Sequence, residues 1–106
     1  MDEIYIEKEP LEIYLSVFKS RLRFSILKNL LNNKSLTSDE LVEILEKQNI
    51  STTKPTIFRH LISLEEEGIL IHDWDISKGP AVRAVKIFSV KKEKRKLIDD
   101  LIEMIK

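Results

Sequence analysis

The stretch Ser51-Thr52-Thr53-Lys54-Pro55-Thr56-Ile57-Phe58-Arg59-His60-Leu61-Ile62-Ser63-Leu64-Glu65-Glu66-Glu67-Gly68-Ile69-Leu70 decides the fold. Ile57, Leu61 and Leu64 recur at intervals of four and three, which places them on one stripe of a helix turned towards a core. Thr56, Arg59, His60 and Ser63 occupy the other side, and these are side chains that reach phosphates and base edges. Pro55 belongs in a first helical turn, where its missing N–H is not needed. It also disfavours helical angles at Lys54, so the cap position is either Thr53 or Lys54. Gly68 supplies the left-handed residue that closes such a helix.

The segment before it is a second helix. Thr37-Ser38-Asp39-Glu40 is a capping box, in which the Thr37 hydroxyl takes one backbone amide and Glu40 reaches back to the amide of Thr37. The helix buries Leu41, Ile44 and Leu45 and ends at Gln48 and Asn49. Two short helices joined by a brief polar turn form a helix-turn-helix, whose second member lies in the major groove. After Gly68, residues 69–76 and 82–90 are rich in β-branched and aromatic residues, with Ser77-Lys78-Gly79-Pro80 as a turn between them. They read as a wing, with Lys78 at its tip and Arg83 and Lys86 on the returning strand, against phosphates or in a minor groove.

Upstream, Leu11, Tyr14, Leu15 and Phe18 have helical spacing, and a second set, Leu22, Ile26, Leu27, Leu30 and Leu31, follows Ser20. Residues 1–10 alternate Ile4 and Ile6 with acids, as a short strand or a frayed arm. From Lys91 to Lys106 a last helix carries Leu97, Ile98, Leu101, Ile102, Met104 and Ile105, more apolar positions than one packing face needs. The surplus suggests a homodimer interface made of Tyr14, Leu97, Ile98, Leu101, Ile102 and Ile105; the plain alternative folds the helix back over its own core. A two-fold dimer would set its recognition helices about one DNA turn, roughly 34 Å, apart.

Length and composition exclude several classes. A chain of 106 residues accommodates one core, divided here as an arm over 1–10, a winged domain over 11–90 and a terminal helix over 91–106. With 42% hydrophobic and 34% charged residues it reads as globular. No apolar run reaches the roughly 20 residues of a membrane span, and the acidic start does not resemble a signal peptide, so a cytoplasmic protein is expected. The absence of cysteine removes thiolate metal sites and cysteine nucleophiles. Gly68 and Gly79 are the only glycines, too few for a phosphate loop, and no metal-ligand cluster or nucleophile elbow is present. The expectation is a protein without catalysis or cofactor. His72, Asp73 and Asp75 alternate across a strand and do not converge on a metal. Trp74 reads as a packing residue of the wing, with a DNA-facing aromatic as the alternative.

The net charge of zero is unusual for a DNA binder, but its distribution is uneven. Residues 78–96 hold eight Lys and Arg against Glu93 alone, and acids gather at 2–12, 39–46 and 65–75. A neutral chain can thus present a basic face.

Ser20-Arg21-Leu22-Arg23-Phe24-Ser25-Ile26-Leu27, residues 37–45, Thr56-Ile57-Phe58-Arg59-His60-Leu61 and Leu64-Glu65-Glu66-Glu67-Gly68-Ile69-Leu70 together resemble the successive blocks of ArsR-type winged-helix transcription regulators, over residues 11–90. The resemblance implies an α+β, mainly helical winged helix-turn-helix with a two-stranded wing and a C-terminal helix, usually a homodimer, that binds double-stranded DNA through Lys54, Thr56, Arg59 and His60. Metal sensing does not carry over, because the cysteine pair and terminal-helix histidines of the metal-sensing members are missing. Phe58 stands where the family commonly has a small polar residue; it contacts a thymine methyl or packs against the wing. The candidate DNA-contacting set is therefore Thr53, Lys54, Thr56, Arg59, His60 and Ser63 on the helix, with Lys78, Arg83 and Lys86 on the wing. A winged helix used for protein contact is the alternative, and an apolar outward face on the recognition helix would favour it.

Overall fold

The computed structural model describes residue 15, residues 19–76 and residues 84–104. Its elements are α1 (Arg21–Asn32), α2 (Ser38–Lys47), α3 (Lys54–Glu66), β1 (Leu70–Asp75), β2 (Val85–Val90), a 3-10 turn (Lys92–Lys94) and α4 (Arg95–Glu103). The expected arm over 1–10, the Ser77–Pro80 turn, and Tyr14, Lys78, Arg83 and Ile105 lie outside the described residues.

Local chemistry fixes where each helix starts and stops. The Ser20 hydroxyl accepts from the Arg23 amide at 3.0 Å and opens α1. At α2 both halves of the capping box form, with the Glu40 amide donating to the Thr37 hydroxyl at 3.0 Å and the Thr37 amide donating to the Glu40 carboxylate at 2.8 Å. Thr53 is the cap of α3, and Lys54 opens the helix ahead of Pro55.

Both α2 and α3 end in the same way. Asn49 takes φ 64° and Gly68 takes φ 80°. The next amide then bonds back five residues, Ile50 to the Leu45 carbonyl at 2.8 Å and Ile69 to the Leu64 carbonyl at 3.0 Å, which is the Schellman closure. A Cβ at Gly68 would meet nothing within 4 Å, so the demand for glycine there is one of backbone angle alone.

Strands β1 and β2 pair antiparallel, from Leu70 opposite Val90 to Asp75 opposite Val85. Leu36 adds a short third edge that sequence reading did not foresee. Its amide and carbonyl exchange bonds of 3.0 and 2.8 Å with Phe88, tying the entrance of α2 to the wing.

The core lies between the helices and one face of this sheet. Ile26, Leu27 and Leu30 of α1 meet Leu41 and Leu45 of α2, Ile57, Leu61 and Leu64 of α3, and Phe88 of β2, all buried. Each such side chain contributes about 1.5–3 kcal/mol on burial. Asn29 and Gln48 join α1 to the end of α2 through a reciprocal pair of amide bonds at 3.2 and 3.1 Å.

Helix α4 closes the core. Ile98, Leu101 and Ile102 are buried within the chain and Leu97 is half-buried against the core cluster. Within one chain, then, Ile98, Leu101 and Ile102 are used in the core, and Leu97 keeps part of its surface. Arg95, expected on a basic surface, instead donates to the Leu31 carbonyl at the end of α1 at 2.9 Å, where a cation suits the helix terminus.

Candidate nucleic-acid interface

Helix α3 lies along one face of the wing, and the contacts between them form a ladder that opens outward. On this face Leu70 is paired with Val90, His72 with Phe88, and Trp74 with Lys86. The first pair is buried, Phe88 is buried beside half-buried His72, and the last pair reaches solvent. From α3, Glu65 hydrogen-bonds the His72 imidazole and Phe58 sets its ring edge-on to Phe88 at 6.1 Å. Phe58 therefore packs against the wing, one of the two roles expected for it, while staying 37% exposed.

The outward residues of α3 differ from the polar set read in the sequence. Lys54, Pro55, Phe58, Arg59 and Glu66 are exposed, whereas Thr56, His60 and Ser63 are half-buried. Arg59 makes no hydrogen bond or ion pair to any described residue, and it does not pair with Glu65 or Glu66. Thr53 and Thr56 share a hydroxyl–hydroxyl bond of 3.0 Å at the helix start. Ser63 points to α1, accepting from Arg23 Nη2 at 2.9 Å and donating to Glu67 at 3.0 Å. Lys54 meets Asp39 at 3.1 Å with both side chains well exposed, a contact worth about 0–1 kcal/mol that a phosphate can replace.

Arg23 is the residue that sequence reading missed. It is buried, and its guanidinium bridges Ser63 and, at 2.9 Å, Glu67, so it fixes the C-terminal end of α3 on α1. One signal was present: a carboxylate at a helix C-terminus is disfavoured by the helix dipole and calls for a cation beside it.

His60 is half-buried on α3, within reach of the charge of Arg23 on α1. Burial, with the positive charges of Arg23, Arg59 and Lys19, holds its imidazole below the usual pKa. At neutral pH it is a neutral hydrogen-bonding group rather than a phosphate counter-ion. The unfolded chain takes up this proton more readily, so the stability tied to neutral His60 is complete above about pH 6.5 and declines as pH falls below it. His60→Gln is expected to lose less thermal stability than the parent between pH 7 and pH 5. Parallel melting curves across that range would refute the assignment.

Lys86 is the wing cation that falls within the described residues. Its ammonium sits over two rings, 5.7 Å from the Phe58 centroid and 5.6 Å from that of Trp74. Trp74, read as a packing residue, is 52% exposed and touches His72 edge-on at 5.9 Å. Asp73 accepts from the Trp74 amide at 2.8 Å, and among the described residues no three His, Asp or Glu side chains converge as a metal site. No helix of the described residues is long and apolar enough to cross a membrane.

No protein-family model matches the sequence, and no curated protein matches it. Among solved structures, the crystal structure of a protein described as a transcriptional regulator of the MarR family, from Enterococcus faecalis V583, is similar to this chain. The TM-score is 0.72 over 98% of this chain and 86% of that one, at 15% sequence identity. At that identity the likeness shows the fold, a winged helix, and nothing finer.

Proposed function

We propose that this chain is a sequence-specific regulator of transcription that binds double-stranded DNA, with α3 in the major groove and the wing on the backbone or in the adjacent minor groove. The observation that carries the reading is Arg59, exposed near the start of α3 with no partner among the described residues. Lys54 and Lys86 flank it as phosphate ligands, Thr53 and Thr56 offer hydroxyls at the helix start, and His60 and Ser63 brace the helix from the α1 side. Lys78 and Arg83 extend the contact along the wing. The description of the structural neighbour as a transcriptional regulator supports the same use of the fold. Within winged-helix regulators, the T-x-x-R-H-L and L-E-x-x-G-I-L blocks favour an ArsR-type relationship. The proposal places the protein in the cytoplasm and gives it no catalytic role.

A two-fold dimer belongs to this reading. Leu15 and Met104 are exposed apolar side chains that it would cover, and the sequence assigns Tyr14, Leu97 and Ile105 to the same interface. Selection from a randomised duplex pool at low and moderate salt tests the whole: a two-fold-related motif with salt-sensitive affinity is expected, and no enrichment defeats it. On the selected site, Arg59→Ala should weaken binding by about 1–3 kcal/mol, roughly 5- to 150-fold, with discrimination relaxed at one base pair. An equal loss on every sequence would make Arg59 a phosphate contact.

A second reading has its own support. Phe58, Trp74 and Val85 form an exposed apolar patch where α3 meets the wing, the feature expected of a winged helix that contacts protein. The same selection separates the two.

A further inference from the structure

We propose that the groove between α3 and the wing holds an unstacked nucleobase, so that the chain binds single-stranded DNA. The inference goes beyond the duplex reading and stands or falls separately from it.

The groove encloses about 540 Å³ at the open end of the α3–wing ladder, and Pro55, Phe58, Trp74, Val85, Lys54 and Lys86 line it. Each of its two rings stands nearly perpendicular to a neighbouring ring. Phe58 meets Phe88 at an interplanar angle of 82°, and Trp74 meets His72 at 86°. Both rings turn a face towards the Lys86 ammonium, which lies over each of them.

Charge selects among occupants. Two ammonium groups face one carboxylate, and Lys54 is already matched to Asp39. Lys86 has no carboxylate partner among the described residues. Aromatic walls with one unmatched cation suit a planar π system carrying an anion, which describes a nucleotide within a strand. Stacked and paired bases in a duplex offer no free faces, so the base must be unpaired. As it enters, the ammonium leaves the rings on its flexible stem and follows the phosphate.

Trp74 is the only tryptophan, and its emission reports on the groove directly. The full chain would be titrated with a short mixed-sequence single strand and with an abasic deoxyribose-phosphate strand of equal length. The natural strand should quench Trp74 and bind at least about tenfold more tightly than the abasic one. Phe58→Ala should weaken it by roughly 5- to 150-fold, the range one base–aromatic stack carries. Phe58→Leu, which keeps apolar bulk without a π face, should show most of that loss with its melting temperature near the parent's. Equal affinity for the two strands would overturn the proposal, since phosphates alone would account for binding. Absent quenching would overturn it too and leave the patch to a protein partner. Should a selected duplex bind while the single strand does not, the groove inference fails and the duplex reading stands; single-strand binding without a duplex motif gives the reverse.

Discussion

Phe88→Ala is expected to lower the stability of the chain by about 3–5 kcal/mol, the range for truncating a fully buried aromatic. Phe88 has no exposed surface and joins three elements at once. Its backbone exchanges two bonds with Leu36, its ring lies 6.1 Å from both Phe58 and His72, and it stands opposite His72 in the sheet. Removing the ring opens a cavity between α3 and the wing that the paired backbone cannot close by shifting. The loss would be read as a lower urea midpoint at unchanged slope. Phe88→Leu should lose clearly less, because part of the volume is kept. A cost below about 1 kcal/mol for the alanine variant would mean that the sheet frays independently of the helical core. The same cavity frees the edge of Phe58, so quenching of Trp74 by a single strand should weaken alongside stability.

Features legible in the sequence are those decided within a few residues. The Thr37–Glu40 box and the left-handed Gly68 depend on neighbours a few positions away and form as read, and of the two cap positions open before Pro55 the structure takes Thr53. The apolar stripe of Ile57, Leu61 and Leu64 is buried as its spacing requires. What the sequence does not carry depends on which elements meet. A width of apolar surface on α4 says that it is covered but not by what, and within one chain Ile98, Leu101 and Ile102 meet α1 and the core. Polar spacing alone makes one outward face of α3, yet Arg23 of α1 meets its C-terminal end and the wing lies along its other side. His60 and Ser63 are consequently drawn towards Arg23, while Phe58 takes the wing side. Leu36 carries no turn or strand signal of its own, and its bridge to Phe88 follows only from the docking of the wing.

Arg23 joins α1 to the end of α3, and under the proposed function its replacement is expected to affect stability and DNA binding together. Its side chain is 3% exposed while that of Glu67 is 36% exposed, so the charge of Arg23 is the one held away from water. Arg23→Ala removes a buried guanidinium that binds Ser63 and Glu67 and also empties its volume, a loss of about 2–4 kcal/mol. Glu67→Gln should cost less, because its carboxylate is partly hydrated and an amide oxygen can still accept from Arg23. The two changes combined should cost less than their sum, since each removes the same contact. Arg23→Met separates packing from charge: it fills most of the space, and its remaining deficit reports the bridge. Because Arg23 holds the last turn of α3 against α1, the methionine variant should also bind the selected duplex more weakly, although its side chain is buried away from any phosphate. The double-mutant cycle by urea denaturation, run beside the binding assay, decides this. Additive losses with unchanged duplex affinity would reduce Arg23 to a packing residue; coupling together with weaker binding would make the α1–α3 bridge the device that sets the angle of the recognition helix.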